Sequence, residues 1–149
     1  MGMDFLSALN ISGSGLTAQK MRMDVIAQNI ANANATRTQN GTPYRRKMVV
    51  LNSIESRGSF RDTLNKAMGQ RTGVGGVQVK MIVEDPSPLV PVYDPAHPDA
   101  NAEGYVMMPN VNTTQEIIDL LGASRAYEAN VTAFNATKAM AVKALEIGR

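Results

Sequence analysis

Three residues in the second half of the chain could together bind a metal ion. Asp94, His97 and Asp99 bring two carboxylates and the one imidazole of the sequence within six positions, and divalent metals accept both kinds of ligand. No fourth ligand stands close by, and the prolines at 95 and 98 space the three residues along an irregular segment. A surface loop is therefore the preferred interpretation, and we expect no metal site and no cofactor.

The side chains that most often act in catalysis are scarce. The 149 residues include no cysteine and one histidine, which excludes cysteine nucleophiles and leaves almost no general base of the usual kind. The glycines at 73, 75 and 76 lead into a strand-like segment without the Lys-Ser/Thr pair of a phosphate-binding loop, so a turn or bulge at a hairpin is favoured. The sequence therefore argues against an enzyme and against a small-molecule substrate.

Charged residues bear on the kind of partner. The net charge of +2 is too small to indicate nucleic acid binding, and the basic run 45–47 would divide between the two faces of a strand. Residues 1–83 carry eleven Lys/Arg against four Asp/Glu, whereas residues 84–149 carry four against nine. Two interpretations stay open: one subunit's basic part pairs with another's acidic part, or the charges simply cluster on solvated faces.

A long helix is predicted over residues 4–34. Its apolar residues recur with the spacing of one helix face, and they are Phe5, Leu9, Leu16, Met23, Ile26 and Ile30. Gly13 and Gly15 each cost about 1 kcal/mol relative to alanine inside a helix. We therefore expect them to mark either a break in the helix or a position where another backbone comes very close.

A second helix is predicted over residues 113–147. Thr113 and Glu116 have the spacing of a capping box, in which each side chain binds a free N–H of the first turn, and Gly148 stands where a C-terminal cap is expected. Two heptad series run along this helix. Their apolar members are Ile117, Leu120, Tyr127, Val131, Phe134, Ala141 and Leu145, and Ser124 and Lys138 are their polar members.

The segment between the helices is predicted to contain strands and loops. Strand-forming residues occupy 44–51 and 74–83, and residues 53–73 are an irregular insert with one helical turn around 60–68. Six of the seven prolines fall between positions 86 and 109. This predicts extended, loop-rich backbone with one short strand at 105–108.

Together these elements predict an α+β fold in which long N- and C-terminal helices pack as a coiled coil beside a β-rich, loop-rich middle. The coiled-coil domain would contain residues 1–36 and 113–149, and the middle region residues 37–112. The helices would be about 46 and 52 Å long, more than the diameter of about 40 Å of a compact chain of this length. They could pair in parallel or antiparallel. Apolar faces would remain for partners, which is typical of a subunit of a helical bundle or filament.

Several segments resemble a known family, the bacterial flagellar axial proteins. The N-terminal signature of that family is similar to residues 3–12, 14–19 and 24–33, which read MDFLSALNIS, SGLTAQ and DVIAQNIANA. Three further segments resemble the proximal rod proteins within the family. They are residues 93–100, 104–112 and 123–131, which read YDPAHPDA, GYVMMPNVN and ASRAYEANV. Gly41-Thr42-Pro43-Tyr44 differs from the Pro-Gly-Tyr turn that is familiar in the family.

The resemblance implies a structural subunit of the flagellar rod, the drive shaft that crosses the periplasm and transmits torque. Its implied partners are other copies of the chain, other rod proteins and the flagellar type III export apparatus, which would export it without a cleaved signal peptide. The early Asp4 and the lack of a basic N-terminal region agree with that expectation. No apolar run approaches the roughly 20 residues that span a bilayer.

In rod proteins the terminal helices pair in the inner tube, so the resemblance also implies an assembly seam. Its expected residues are Leu9, Leu16, Met23, Ile26, Ile30, Ile117, Leu120, Tyr127, Val131, Phe134 and Leu145. An alternative from another functional class is a soluble adaptor or export chaperone that binds partner helices with the same faces.

Overall fold

The computed structural model describes residues 2–55, 64, 67–68 and 74–147, with a long helix at each end of the described chain. Helix α1 spans Gly2–Ala31 and helix α2 spans Thr113–Ile147. Between them the described residues form four strands, β1 Lys47–Glu55, β2 Val74–Glu84, β3 Val90–Tyr93 and β4 Tyr105–Met108. The predicted α+β class, with terminal helices and a β-containing middle, is confirmed.

The predicted insert at 53–73 is described only in part. Strand β1 continues to Glu55, so the first residues of the insert belong to a strand. Within the predicted helical turn, the N–H of Met68 donates to the carbonyl of Leu64 at 2.9 Å, which is a helical i to i+4 bond. The rest of that turn and the predicted cap Gly148 lie outside the described residues.

Helix α1 runs through both of its internal glycines, so the predicted break is wrong. A Cβ at Gly15 would lie 3.1 Å from Oδ1 of Asn130, whereas a Cβ at Gly13 would meet nothing within 4 Å. Gly15 therefore lets α1 approach α2, but through a side chain and not through a second backbone. The helix ends before the predicted residue 34, in a turn where the N–H of Asn32 donates to the carbonyl of Gln28 at 3.1 Å.

Helix α2 begins at the predicted residue but with a different cap. The side-chain oxygen of Asn112 accepts from the N–H of Gln115 at 3.2 Å, and its carbonyl accepts from the N–H of Glu116 at 2.9 Å. This geometry makes Asn112 the N-cap. The predicted capping box of Thr113 and Glu116 is wrong, because residues of other elements bind the Glu116 carboxylate.

The described strands form two separate two-stranded sheets, β1 with β2 and β3 with β4. Strands β3 and β4 are antiparallel, with Tyr93 opposite Tyr105 and Pro91 opposite Met107. The sequence predicts β4 but not β3, because the prolines around it indicate irregular backbone. A two-stranded sheet tolerates Pro91, since each of its strands has an outer edge where the missing N–H removes no ladder bond.

The chain divides into two compact units that each contain part of both helices. Unit 1 consists of residues 1–21, 51–80 and 124–149, and unit 2 of residues 22–50 and 81–123. Most of the buried apolar side chains among the described residues belong to unit 2. They are Val25, Ile26, Tyr44, Val106 and Ala123 in unit 2, and Ala18 in unit 1.

In unit 1 the first part of β2 is attached to α1 at Ser14. The Ser14 hydroxyl donates to the carbonyl of Ile11 at 2.7 Å and accepts from the N–H of Val77 at 3.1 Å. Gly76 has a φ of +121°, and a Cβ at this position would overlap the Ser14 hydroxyl oxygen. Both the positive φ and the close contact therefore favour glycine at position 76.

Gly76→Ala should lower the free energy of unfolding by about 2 kcal/mol, because the added methyl group meets Ser14 and the backbone is strained for alanine. The matched control is Gly13→Ala, where a Cβ meets nothing within 4 Å. That change should raise the free energy of unfolding by about 1 kcal/mol through helix propensity. Urea unfolding followed by circular dichroism measures both, and equal midpoints for the two variants would contradict the contact at Ser14.

Candidate assembly surface

Asn29 on α1 and Glu116 on α2 are the most deeply buried polar side chains among the described residues, each 1 % exposed. The Asn29 amide nitrogen donates to Oε2 of Glu116 and to the carbonyl of Lys47, both at 2.9 Å. Its oxygen accepts from the Tyr44 hydroxyl and from the N–H of Lys47, also both at 2.9 Å. Because every donor and acceptor of the amide is used, its burial leaves no polar atom unsatisfied.

Arg46 supplies the cation that the buried Glu116 requires. Its Nε donates to Oε1 of Glu116 at 2.6 Å, and its terminal nitrogens lie 3.6 Å from a carboxylate oxygen of Asp85 and 3.6 Å from one of Asp119. The backbone N–H of Arg46 donates to Oδ1 of Asn110 at 2.8 Å. One guanidinium thus binds three carboxylates, a task that suits its planar, forked donors.

The charge states in this cluster follow from its contacts. Burial acts to lower the pKa of Arg46, but the hydrogen bond and charge of Glu116, with the charges of Asp85 and Asp119, outweigh it and raise that pKa. Burial, followed by the charge of Glu116, raises the pKa of the Tyr44 hydroxyl above its ordinary value. Arg46 is therefore charged and Tyr44 neutral at pH 7, as their hydrogen bonds require.

These residues form what we call the polar network, and they join four segments of unit 2. Its members are Asn29, Tyr44, Arg46, Asp85, Glu116 and Asp119. They come from α1, from the segment before β1, from the residue that follows β2 and from the first turns of α2. Each group is already hydrogen-bonded or ion-paired, so the network can hold the helix faces of unit 2 in fixed positions.

Sequence reasoning missed the polar network although it singled out several of its members. It assigned Tyr44 to the start of a strand, Arg46 to a basic run and Glu116 to a cap. One signal was available: Glu116 lies four residues before Leu120 and seven before Ala123, and therefore on the same helix face. A charged residue on a core-facing stripe indicates a buried partner.

The predicted seam residues lie at different depths in the single subunit. Ile26 is buried, whereas Ile117 and Leu145 are exposed. The others are half-buried, namely Leu9, Leu16, Met23, Ile30, Leu120, Tyr127, Val131 and Phe134. Most of the seam therefore keeps some apolar surface open to solvent.

The second half of α2 is the most open part of the helices. None of the side chains from 132 to 146 is buried, and Met140, Val142 and Leu145 are 63 %, 47 % and 75 % exposed. A concentration of exposed apolar side chains at one end of a helix favours a contact with another molecule. In the described part of the chain, no helix has the length and apolar character needed to span a membrane.

The three residues considered as metal ligands make hydrogen bonds within loops. Nδ1 of His97 accepts from the N–H of Asp99 at 3.1 Å, and Asp94 accepts from a backbone N–H two residues further on. The Asp99 carboxylate accepts from the Thr36 hydroxyl at 2.9 Å and lies 3.8 Å from Arg37. The described residues contain no group of three or more His, Asp or Glu that could hold a metal ion.

Comparisons with known proteins match both helical ends of the chain. A family model described as "Flagella basal body rod protein" matches residues 9–37, which include most of α1. A second, described as "Flagellar basal body rod FlgEFG protein C-terminal", matches residues 102–147, which include β4 and α2.

Relatives match over nearly the whole length. The flagellar basal-body rod protein FlgC of Bacillus subtilis (strain 168) is 54 % identical over 148 residues, covering 95 % of this chain and 97 % of the relative. The protein of the same name from Borreliella burgdorferi is 45 % identical, covering 97 % and 98 %. That of Escherichia coli O157:H7 is 41 % identical, covering 99 % and 100 %.

Arg46→Met should lower the free energy of unfolding by about 3 kcal/mol, because it leaves the buried Glu116 carboxylate without its cation. The matched control is Arg37→Met, which removes a guanidinium that is 72 % exposed and 3.8 Å from its carboxylate. This control should change the free energy by less than about 0.5 kcal/mol. Urea unfolding of the full chain measures both, and an equally small loss in the two variants would contradict the role of the polar network.

Asp85 predicts a dependence of stability on pH. Hydrogen bonds from Ser87, with a further contribution from Arg46, hold the pKa of the Asp85 carboxyl below its usual 3.8. A carboxyl of this kind stabilises the fold above its unfolded-state pKa, and the stabilisation is lost as the pH falls through the native-state pKa. Below about pH 4, unfolding free energy should therefore fall more steeply in the unmodified chain than in Asp85→Asn. Urea unfolding at several pH values measures both chains, and parallel curves of unfolding free energy against pH would contradict the expectation.

Proposed function

The chain belongs to the family of the flagellar basal-body rod protein FlgC, and from this premise we propose how it builds the rod. It is a structural subunit of the flagellar basal-body rod and assembles with other rod proteins. We propose that it polymerises through its terminal helices into the proximal rod, the drive shaft that transmits torque across the periplasm. In this function no residue is catalytic.

The observation that best supports polymerisation is the apolar surface that both helices leave open. Leu6 on α1 and Met140 and Leu145 on α2 are all more than half exposed. Burying such side chains against neighbours gains about 25 cal/mol for each Å² removed from water. A subunit that keeps this surface open alone becomes more stable when other helices cover it.

We propose that the assembly seam consists of the predicted seam residues, including the half-buried Leu16, Tyr127 and Val131. Torque would pass through many shallow contacts repeated along the rod, and the β-rich middle would face outward against neighbouring subunits. The polar network supports this mechanism because it ties the strands of unit 2 to α1 and α2 by buried, charge-assisted bonds. Such bonds resist rotation of one element against another.

The route to the rod is also part of the proposal. We propose that the flagellar type III apparatus exports the chain without a cleaved signal peptide and that the rod holds it in the periplasmic space. The support for this is the resemblance of the N-terminal segments to flagellar axial proteins. The alternative function, a soluble adaptor or export chaperone, requires the chain to stay outside the rod. Finding the chain stably incorporated in purified basal bodies would therefore exclude it.

Val131→Asp should block rod assembly and abolish swimming, because it places an unpaired charge in a packed interface. The interface should lose at least about 3 kcal/mol, which is more than a hundredfold in affinity. Motility in soft agar and the content of the variant in purified basal bodies measure the effect.

The matched control for this seam variant is Thr132→Asp, which adds the same charge at an exposed neighbouring position off the seam. Cells that carry Thr132→Asp should swim. Both variants should keep the helix content of the unmodified chain, as measured by circular dichroism. Normal rods and normal swimming in a folded Val131→Asp variant would overturn the assembly seam.

A further inference from the structure

The two compact units carry opposite net charge. Unit 1 contains ten Lys/Arg and five Asp/Glu, for +5, and unit 2 contains five Lys/Arg and eight Asp/Glu, for −3. Residues 81–124, nearly all in unit 2, include seven Asp/Glu and neither Lys nor Arg. The uneven distribution of charge along the sequence thus becomes a difference in net charge between the two structural units.

Part of the acidic charge of unit 2 makes no ion pair within the described residues. Three of the seven carboxylates belong to the polar network, and Asp99 lies beside Arg37. The remaining three, Glu84, Asp94 and Glu103, are exposed and make no ion pair in the described part of the chain. Asp94 and Glu103 flank the turn that joins β3 to β4.

The same hairpin presents an exposed aromatic face. Tyr93 opposite Tyr105 and Pro91 opposite Met107 are alternate cross-strand pairs, so all four side chains lie on one face. The two tyrosine rings meet edge to face at 5.3 Å, and Tyr93 is 65 % exposed. Protein contact surfaces are enriched in tyrosine and methionine and have a polar or charged rim. A few residues, tyrosine often among them, contribute most of the binding energy there.

A face of α1 in unit 1 has the complementary composition. Leu6, Gly13, Thr17 and Lys20 are spaced by seven, four and three residues and so share one side of the helix. Leu6, Thr17 and Lys20 are exposed, and Lys20 makes no ion pair within the described residues. Among the described residues, a Cβ at Gly13 would meet nothing within 4 Å. This glycine, unfavourable in a helix, therefore leaves a gap on the helix surface that the described part of its own chain does not fill.

We propose that the hairpin face of one copy docks on this α1 face of the next copy, with Tyr93 over Gly13 and the Asp94 and Glu103 carboxylates toward Lys20. The inference rests on the proposed function, since it requires copies held side by side in the rod. A second copy is the partner because one chain carries both the acidic aromatic surface and the basic one. Two different surfaces of the same chain form a heterologous contact, which extends a helical assembly instead of closing a dimer.

The test places a photo-crosslinking benzoylphenylalanine at position 93 in swimming cells, followed by irradiation, purification of basal bodies and peptide mapping. We expect adducts between two copies of the chain, with the acceptor peptide inside residues 6–21. The same amino acid in place of Ile118, also exposed in unit 2, should give no adduct there. An adduct from position 93 to a different rod protein or to another part of the chain, or none from an incorporated chain, would overturn the docking but leave the rod function. Absence of the unmodified chain from purified basal bodies would overturn both.

Charge reversal separates the proposed ion pairs from a general effect on folding. Lys20→Glu should reduce the adduct at least about tenfold, because like charges then face each other. Asp94→Lys with Glu103→Lys in the same chain should restore it, whereas Lys80→Glu, at an exposed lysine of β2, should leave it unchanged. Loss of the adduct without restoration, or no loss at all, would contradict the assigned contact.

Discussion

A carboxylate buried in a protein must be paired, and in this chain the constraint falls on Glu116. It is bound by Asn29, 87 residues earlier, and by Arg46, 70 residues earlier. Removing one partner of such a pair leaves an uncompensated buried charge, so these segments must come together for unit 2 to fold. The local features of unit 2 follow from that requirement. Because the Glu116 side chain is committed to Arg46 and Asn29, the first turn of α2 is capped by Asn112 instead.

Unit 1 is held together differently, by small residues and close approach. Gly15 makes room for the side chain of Asn130, and Ser14 binds the backbone of β2 next to Gly76. Contacts of this kind bring the elements close together through small side chains, and Ala18 is the buried apolar residue of unit 1 among those described. Several larger apolar side chains of its helices, such as Leu6, Met140 and Leu145, are exposed, which agrees with the proposed contacts to neighbouring subunits.

The two units therefore suit different parts of rod assembly. Unit 2 has a fixed internal network that can hold strands rigidly on helices, and the matched family models include both Asn29 and Glu116 but not Arg46. Unit 1 leaves apolar side chains of both helices exposed, such as Leu6 and Leu145, as the proposed repeated contacts along the rod require. A drive shaft requires both properties, because torque passes only through subunits that do not deform internally and that contact each other at many points.

Local patterns in the sequence determined the helices and most of the strands. The heptad spacing from Ile117 to Leu145 predicts α2 with its observed bounds, and the residues at 105–108 predict β4, because side-chain periodicity depends only on neighbours along the chain. The rod subunit itself was implied by the resemblance of the signature segments to flagellar axial proteins. Pro91 concealed β3, since a proline in a strand is acceptable only at an edge and edges are not visible in a sequence.

Only the tertiary structure decided which polar residues are buried and which glycines have another side chain packed against them. Glu116 has the spacing of a cap and Arg46 that of a solvated strand, yet the two meet at 2.6 Å. Gly13 and Gly15 are equivalent in the sequence, but Asn130 lies close to Gly15, whereas no described residue would lie within 4 Å of a Cβ at Gly13. The physical reason is the same in both cases. Ion pairing and the packing of a side chain against a glycine depend on residues distant in sequence, whereas helix propensity and side-chain periodicity depend only on residues a few positions apart.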